Sequence, residues 1–174
     1  MKRSNHYEAA FEHLLRERAL PYVAVDEAKR ALLANTQLKS FDFVLYLPER
    51  RNLLIDVKGR KAAGGKRRWS FDPWVNRSDL EALATWQEVF GDGFRAAFAF
   101  AFWLSDLDQV GLFETFTFRE RYYRFYVVYL DDYRPYLRQR SDRWDTVTIP
   151  REVFGRLAFE FDELLRCPPA NKKL

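Results

Sequence analysis

The 174-residue sequence has almost none of the residues that build covalent or soft-metal sites. Cys167 is the only cysteine, so an intramolecular disulfide is excluded, and with it a cysteine-rich zinc centre. His6 and His13 are the only histidines, and neither falls in a recognisable nucleophile–base pattern. There is no phosphate loop of the Gly-Lys-Ser/Thr kind. The longest apolar run, Ala96 to Leu104, is far short of the roughly 20 residues that cross a bilayer. The opening stretch MKRSNHYEAAFEH is basic but lacks the apolar core of a signal peptide. These absences predict a soluble, cytoplasmic protein with no membrane partner. Repeats, linkers and low-complexity stretches are missing too, so one domain over 1–174 is expected, with a core at about 5–104 and a C-terminal extension at about 111–165.

What is present points to a globular protein with a polyanionic partner. Hydrophobic residues make up 48% and aromatics 17%, enough for a packed core in a chain that buries roughly 70% of its unfolded surface. Lys and Arg number 29 against 25 Asp and Glu, a net charge of +4, and the pI is about 9.2.

The most informative stretch is Ser40 to Lys61, which reads as a β-hairpin. Phe41–Leu47 and Leu53–Lys58 are apolar runs interrupted by Asp42, Asp56 and Lys58, with a turn-forming break at Pro48–Asn52. Strand alternation puts Asp56 and Lys58 on one face and Ile55 and Val57 on the other. Pairing about Arg50 would set Asp42 opposite Lys58 and diagonal to Asp56, roughly 7–8 Å apart, close enough for two carboxylates to share metal ions. Charges in such apolar runs are costly unless paired or metal-bound. A solvated strand face is the alternative.

Around this hairpin, Ser4 or Asn5 is expected to cap a helix from about His6 to Glu17 with Tyr7, Ala10, Phe11, Leu14 and Leu15 as its buried stripe. Glu8 lies roughly 20° from Leu15 on the flank of that stripe, and Glu12 further out. Pro21–Val25 reads as a short strand, and Asp26–Leu33 is left undecided. Between Lys58 and Arg77 there are seven basic residues (Lys58, Arg60, Lys61, Lys66, Arg67, Arg68, Arg77) against Asp72 alone, around an Ala-Ala-Gly-Gly centre. A mobile, exposed basic loop of this kind suits a phosphate backbone, whereas its tryptophans, Trp69 and Trp74, suit packing. Ser78 and Glu81 form a capping-box pattern for a helix to about Phe90. Phe94–Leu104 is apolar on both faces and should be central in the sheet, beside Leu53–Lys58. Phe113–Phe118 and Tyr122–Leu130 should form a second hairpin, Thr146–Ile149 an edge strand, and Arg151–Leu165 a last helix begun by Pro150.

Helix, strand, hairpin with Asp42 then Asp56-x-Lys58, helix, central strand: this order resembles the PD-(D/E)XK nuclease superfamily over about residues 5–104. The acids stand 14 residues apart, and Phe41 replaces the proline that gives the superfamily its name. His6-Tyr-Glu-Ala-Ala-Phe-Glu12 is similar to the motif of the HYExAFE proteins, a group of ill-defined function. The resemblance implies an α/β (α+β) fold: a mixed central sheet flanked by helices, with a restriction-endonuclease-like αβββαβ core and a C-terminal hairpin and helix. It implies catalytic roles for Asp42, Asp56 and Lys58, and metal binding by Asp42, Asp56, Glu8 and the Val57 backbone carbonyl. Glu12 and Gln87 would be accessory at most. Oxygen donors without a His pair suit Mg²⁺ or Mn²⁺. The expected activity is metal-dependent phosphodiester cleavage of nucleic acid, DNA ahead of RNA, by a nuclease or resolvase-like enzyme. Arg60, Lys61, Lys66, Arg67, Arg68 and Arg77 would bind the nucleic acid, and a homodimer is left open. The alternative is an inactive nuclease-fold module that binds nucleic acid or a protein partner.

Overall fold

The computed structural model describes residues 5–25, 31–33, 36–48, 50–62, 71–105 and 114–166. Helix α1 (His6–Glu17) starts at Asn5, whose side-chain oxygen accepts the Tyr7 N–H at 3.0 Å. Its stripe of Ala10, Phe11, Leu14 and Leu15 is buried, as the periodicity predicts. Phe11 packs edge-on and tilted against Phe43, Phe125 and Phe161.

The strands follow in chain order as β1 (Tyr22–Ala24), β2 (Ala31–Leu33), β3 (Thr36–Leu38), β4 (Phe43–Leu45), β5 (Asn52–Lys61) and β6 (Val75–Asn76). Helix α2 (Arg77–Phe90) then leads to β7 (Phe94–Leu104), β8 (Phe116–Phe118) and β9 (Arg121–Tyr129). After α3 (Leu130–Tyr133) come β10 (Arg138–Ser141), β11 (Thr146–Thr148), α4 (Arg151–Leu157), β12 (Phe159–Glu160) and α5 (Glu163–Arg166). The main sheet runs β1-β4-β5-β7-β9-β12, with β8 on β9. Strands β5 and β7 are parallel because a helical crossover joins them, and the other pairs are antiparallel. The sheet is therefore mixed, and no helix among the described residues is long and apolar enough to cross a membrane.

Strand β7 is central, as its two apolar faces require, and lies beside β5 over its full length. Its alternation of Ala and Phe divides the core. Ala97, Ala99 and Ala101 face α1, and Phe98, Phe100 and Phe102 fill the layer formed with α2, α3 and α4. Small side chains let α1 approach closely, and Gly59 on β5 continues that smooth face. A Cβ at Gly59 would lie 2.1 Å from Cδ2 and 2.8 Å from Cβ of Tyr7.

Several boundaries differ from the sequence expectation. The undecided stretch Asp26–Leu33 ends in β2, which pairs with β3 just beyond it as a small separate sheet. The second hairpin turns on Arg119 and Glu120 alone, both at positive φ, so Arg121 already belongs to β9. Helix α2 starts at Arg77, and its N-cap, Asn76, lies two residues before the expected Ser78 cap. The predicted last helix is broken: Phe159 and Glu160 leave it to pair with Val127 and Tyr126 at the open edge of β9. The apolar period of Arg151–Leu165 is shared between two short helices and this strand, so it reads as one helix in sequence.

The fit of Tyr7 over Gly59 gives a direct test of the α1–sheet packing. Gly59→Ala should destabilise the protein by about 1–3 kcal/mol, measured by urea unfolding, because the Tyr7 Cβ cannot swing away. Adding Tyr7→Ala to that variant should recover part of the loss, and simple additivity of the two substitutions would contradict the packing described.

Candidate active site

The hairpin of β4 and β5 pairs Phe43 with Ile55, Val44 with Leu54 and Leu45 with Leu53. Its centre therefore lies at position 49, and the expected pairing about Arg50 is corrected. The hairpin closes early because Asn52 joins β5 and its Oδ1 accepts the Leu47 N–H at 3.3 Å. As a result Asp42 enters the ladder beside Ile55 and Asp56 and falls short of Lys58. The Asp42 N–H donates to the Ile55 carbonyl at 2.9 Å, and its own carbonyl accepts from Val25.

Beyond this point β4 ends, and the Asp42 carboxylate replaces it. Oδ2 accepts the Val57 N–H at 2.6 Å, a bond a continuing strand would make through its backbone. The N–H and C=O of one strand residue point to the same side, so the Val57 carbonyl also faces this fork. Asp42 and Asp56 are 3% and 6% exposed, and burial at that depth demands compensation.

Lys58 supplies much of it. Its Nζ lies 2.8 Å from Asp56 Oδ2 and 2.8 Å from Asp79 Oδ2. Burial alone would lower the Lys58 pKa, but Asp56 and then Asp79 outweigh it and hold the ammonium above its usual range. Asp79 is a site residue that the sequence reading missed. It stands in the first turn of α2, favourable for an anion, and also accepts from Lys39 Nζ at 2.8 Å and Asn76 Nδ2 at 3.1 Å. Burial pushes its carboxyl up, but Lys58 and Lys39 together hold it below the usual range. The one sequence signal was an acid directly after Ser78 at a helix start, which reads as ordinary capping.

The other candidates are not all drawn to this point. Helix α1 packs on the face of β5 that carries Ile55 and Val57, opposite Asp56 and Lys58. Glu8 accepts from Asn5 Nδ2 at 2.8 Å, and Glu12 accepts from Arg16 at 2.8 Å and the Tyr22 hydroxyl at 2.9 Å. Among the described residues no three His, Cys, Asp or Glu side chains form a metal-ready group, so the expected trio of Glu8, Asp42 and Asp56 is not assembled. Gln87 serves the fold: its Oε1 accepts the Ala96 N–H at 2.6 Å and its Nε2 donates to Asp131.

Of the basic residues, Lys61 is exposed, with Nζ 5.3 Å from the Trp103 ring centre. Arg60 was expected to be exposed and is not. Its guanidinium stacks 3.5 Å over Trp74 and donates to the Gly59 and Trp74 carbonyls. Burial lowers its pKa to about 10. The reason is strand alternation: Arg60 shares the inner face with Asp56 and Lys58. Arg77 is engaged by Asp145 at 3.1 Å and Gln139 at 2.5 Å. Lys66, Arg67, Arg68 and Trp69, with the loop-mobility expectation, lie outside the described residues.

The signs of the two shifts fix the pH behaviour of the clamp. Asp79, lowered on folding, contributes stability above the ordinary carboxylate range that is lost as pH falls through its folded value. Lys58, raised on folding, contributes stability that is lost only as pH rises through its folded value. Asp79→Asn should therefore cost about 1–3 kcal/mol at pH 7, read as a lower midpoint in urea. The gap from the parent protein should narrow below about pH 4, and a gap independent of pH would contradict the clamp.

No family model matches the chain, and no curated protein matches it significantly. Among solved structures, it is similar to Hjc, a Holliday junction resolvase from the archaeal hyperthermophile Archaeoglobus fulgidus. The TM-score is 0.54 at 16% identity, covering 91% of this chain and 97% of that one. The chain thus has the restriction-endonuclease-like fold of that resolvase, a mixed sheet flanked by helices.

Proposed function

We propose that this chain is a metal-dependent phosphodiesterase acting on DNA, a nuclease of the resolvase-like kind. The observation that carries the reading is the fork itself: Asp42 and Asp56 are both buried, Asp42 is bonded to β5 at Ile55 and Val57, the residues flanking Asp56, and Lys58 stands 2.8 Å from Asp56. The fold shared with a Holliday junction resolvase supports the same reading and favours DNA over RNA.

The donor set fits a hard divalent cation, Mg²⁺ or Mn²⁺, through the carboxylates of Asp42 and Asp56 and the Val57 carbonyl. When bound there, the ion supplies an activated water and neutralises charge on the phosphodiester. Lys58 contributes a fixed positive charge beside the carboxylates, able to orient the water or stabilise charge growing on the phosphate. Asp79 is a positioning residue: its Oδ2, 2.8 Å from Lys58 Nζ, would hold the ammonium in place with Asp56 serving as a cation ligand. Glu8 and Glu12 stand outside this set, and Gln87 has a structural role. Lys61, with Lys66, Arg67 and Arg68 of the following segment, is assigned to the DNA backbone. Arg60 and Arg77 act through the residues they hold.

Incubating the protein with labelled duplex and four-way-junction DNA, with Mg²⁺, Mn²⁺ or EDTA, tests this. Cleavage should require either cation, and Lys58→Ala and Asp56→Asn should each slow it by about 10²–10³-fold or more while thermal unfolding stays cooperative. Absence of cleavage with both ions would leave the binding-module reading in its place, and cleavage indifferent to Asp56→Asn would overturn the assignment of this site.

A further inference from the structure

The three-stranded sheet β10-β11-β6 packs against the phenylalanine face of the main sheet through Val75, Val147 and Ile149. Its outer strand, β10, is an edge, with Arg138, Gln139 and Arg140 exposed. Trp144, in the turn between β10 and β11, is 67% exposed, more than any other large hydrophobic residue among those described. Tryptophan left that open gives up its largest packing contribution. A solvated surface hairpin accounts for the arginines but leaves Trp144 without a reason.

The turn is also built to hold still. Arg77 donates its backbone N–H to the Asp145 carbonyl at 3.0 Å, its Nε to Asp145 Oδ1 at 3.1 Å and an Nη to Gln139 at 2.5 Å. Asp145 adopts φ +42°, and the Trp144 N–H reaches Ser141 Oγ at 3.4 Å. The Arg143 guanidinium lies 5.1 Å from the centre of the Trp144 ring. From Arg134 to Asp145 there are four arginines against two aspartates, and Arg77 engages one of those aspartates.

This hairpin is tied to the candidate active site in two ways. Strand β6 pairs with β11 and runs straight into the α2 turn whose Asp79 holds Lys58. The Trp74 ring, immediately before β6, is stacked by Arg60 at 3.5 Å and approached by Arg140 at 5.0 Å. Arg60 is two residues beyond Lys58 on the same strand face.

We propose that the β10–β11 hairpin is a DNA-contacting surface in its own right. Arg138 and Arg143 hold the phosphate backbone, and Trp144 stacks on a base face left open at a branch or end. Interleaved arginine and exposed aromatic are the combination that binds unstacked bases without regard to sequence. A rigid turn meets the ligand with little ordering cost. The inference rests on the nuclease reading for the identity of the polymer, but not on turnover.

The test is fluorescence anisotropy of labelled four-way-junction and blunt duplex DNA with the full chain in EDTA, repeated across a salt series. Trp144→Ala should weaken junction binding by about tenfold or more, with Trp144→Phe recovering most of it. Arg138→Ala with Arg143→Ala should reduce the slope of log affinity against log salt by about 1–2. Thermal midpoints should stay at the parent value, since these side chains are exposed. Val89→Ala, at an exposed apolar side chain outside the hairpin, is the control and should bind like the parent protein. If the parent binds and both hairpin variants bind equally well with the same salt slope, the hairpin is not a DNA surface. If the parent cleaves nothing with Mg²⁺ or Mn²⁺, the nuclease reading fails while the hairpin result stands on its own.

Discussion

Charge placed under the edge of an apolar sheet is costly, and the fold around the β4–β5 fork is arranged to offset that cost. The Asp42 carboxylate accepts the Val57 N–H at 2.6 Å, so one buried anion takes the place of strand backbone. Asp56 faces Lys58, and Lys58 is shared with Asp79 at the start of α2, which in turn is held by Lys39. Three elements thus meet through alternating charges, β5, the first turn of α2 and the segment after β3, while Asp42 ties the approach to β4 to β5 through the Val57 N–H. Removing Lys58 would leave Asp56 and Asp79 without the cation they share, and that dependence couples the position of α2 to the position of the Asp56 carboxylate.

The layers on either side of the sheet serve this arrangement. On one face, alanines of β7 and Gly59 of β5 let α1 settle directly on the sheet, with Tyr7 over Gly59. On the other face, phenylalanines of β7 support α2 and the small sheet, and these bring Asp79 and Trp74 against β5. Lys58 and Arg60 belong to this second face. The Arg60 guanidinium is taken up by Trp74 and two backbone carbonyls, which is why it is part of the scaffold despite its place in a basic stretch.

The strongly periodic parts of the fold were legible in the sequence. The α1 stripe, the doubly apolar β7 and the interrupted hairpin followed from spacing alone, and Asp42, Asp56 and Lys58 stood out because charge interrupts apolar strands. What local pattern could not supply was decided by long-range contact. The hairpin register moved because one side chain, Asn52, closed the turn early. The last helix broke because β9 offered an open edge to Phe159 and Glu160. Asp79 was invisible as a site residue, since an acid in a first helical turn is ordinary until its partner, Lys58, 21 residues earlier, is seen to reach it. Glu8 shows the converse: its helical position was read correctly, but α1 lies on the sheet face opposite Asp56 and Lys58.

The central claim is that Asp42, Asp56 and the Val57 carbonyl form a divalent-cation site. Anomalous diffraction from crystals soaked in Mn²⁺ tests it without reference to any substrate. The account predicts one strong peak at the fork, within about 2.0–2.4 Å of oxygens from both aspartates, and its loss in Asp56→Asn crystals. A well-ordered fork with no peak, Lys58 still seated on Asp56 at saturating Mn²⁺, would contradict it.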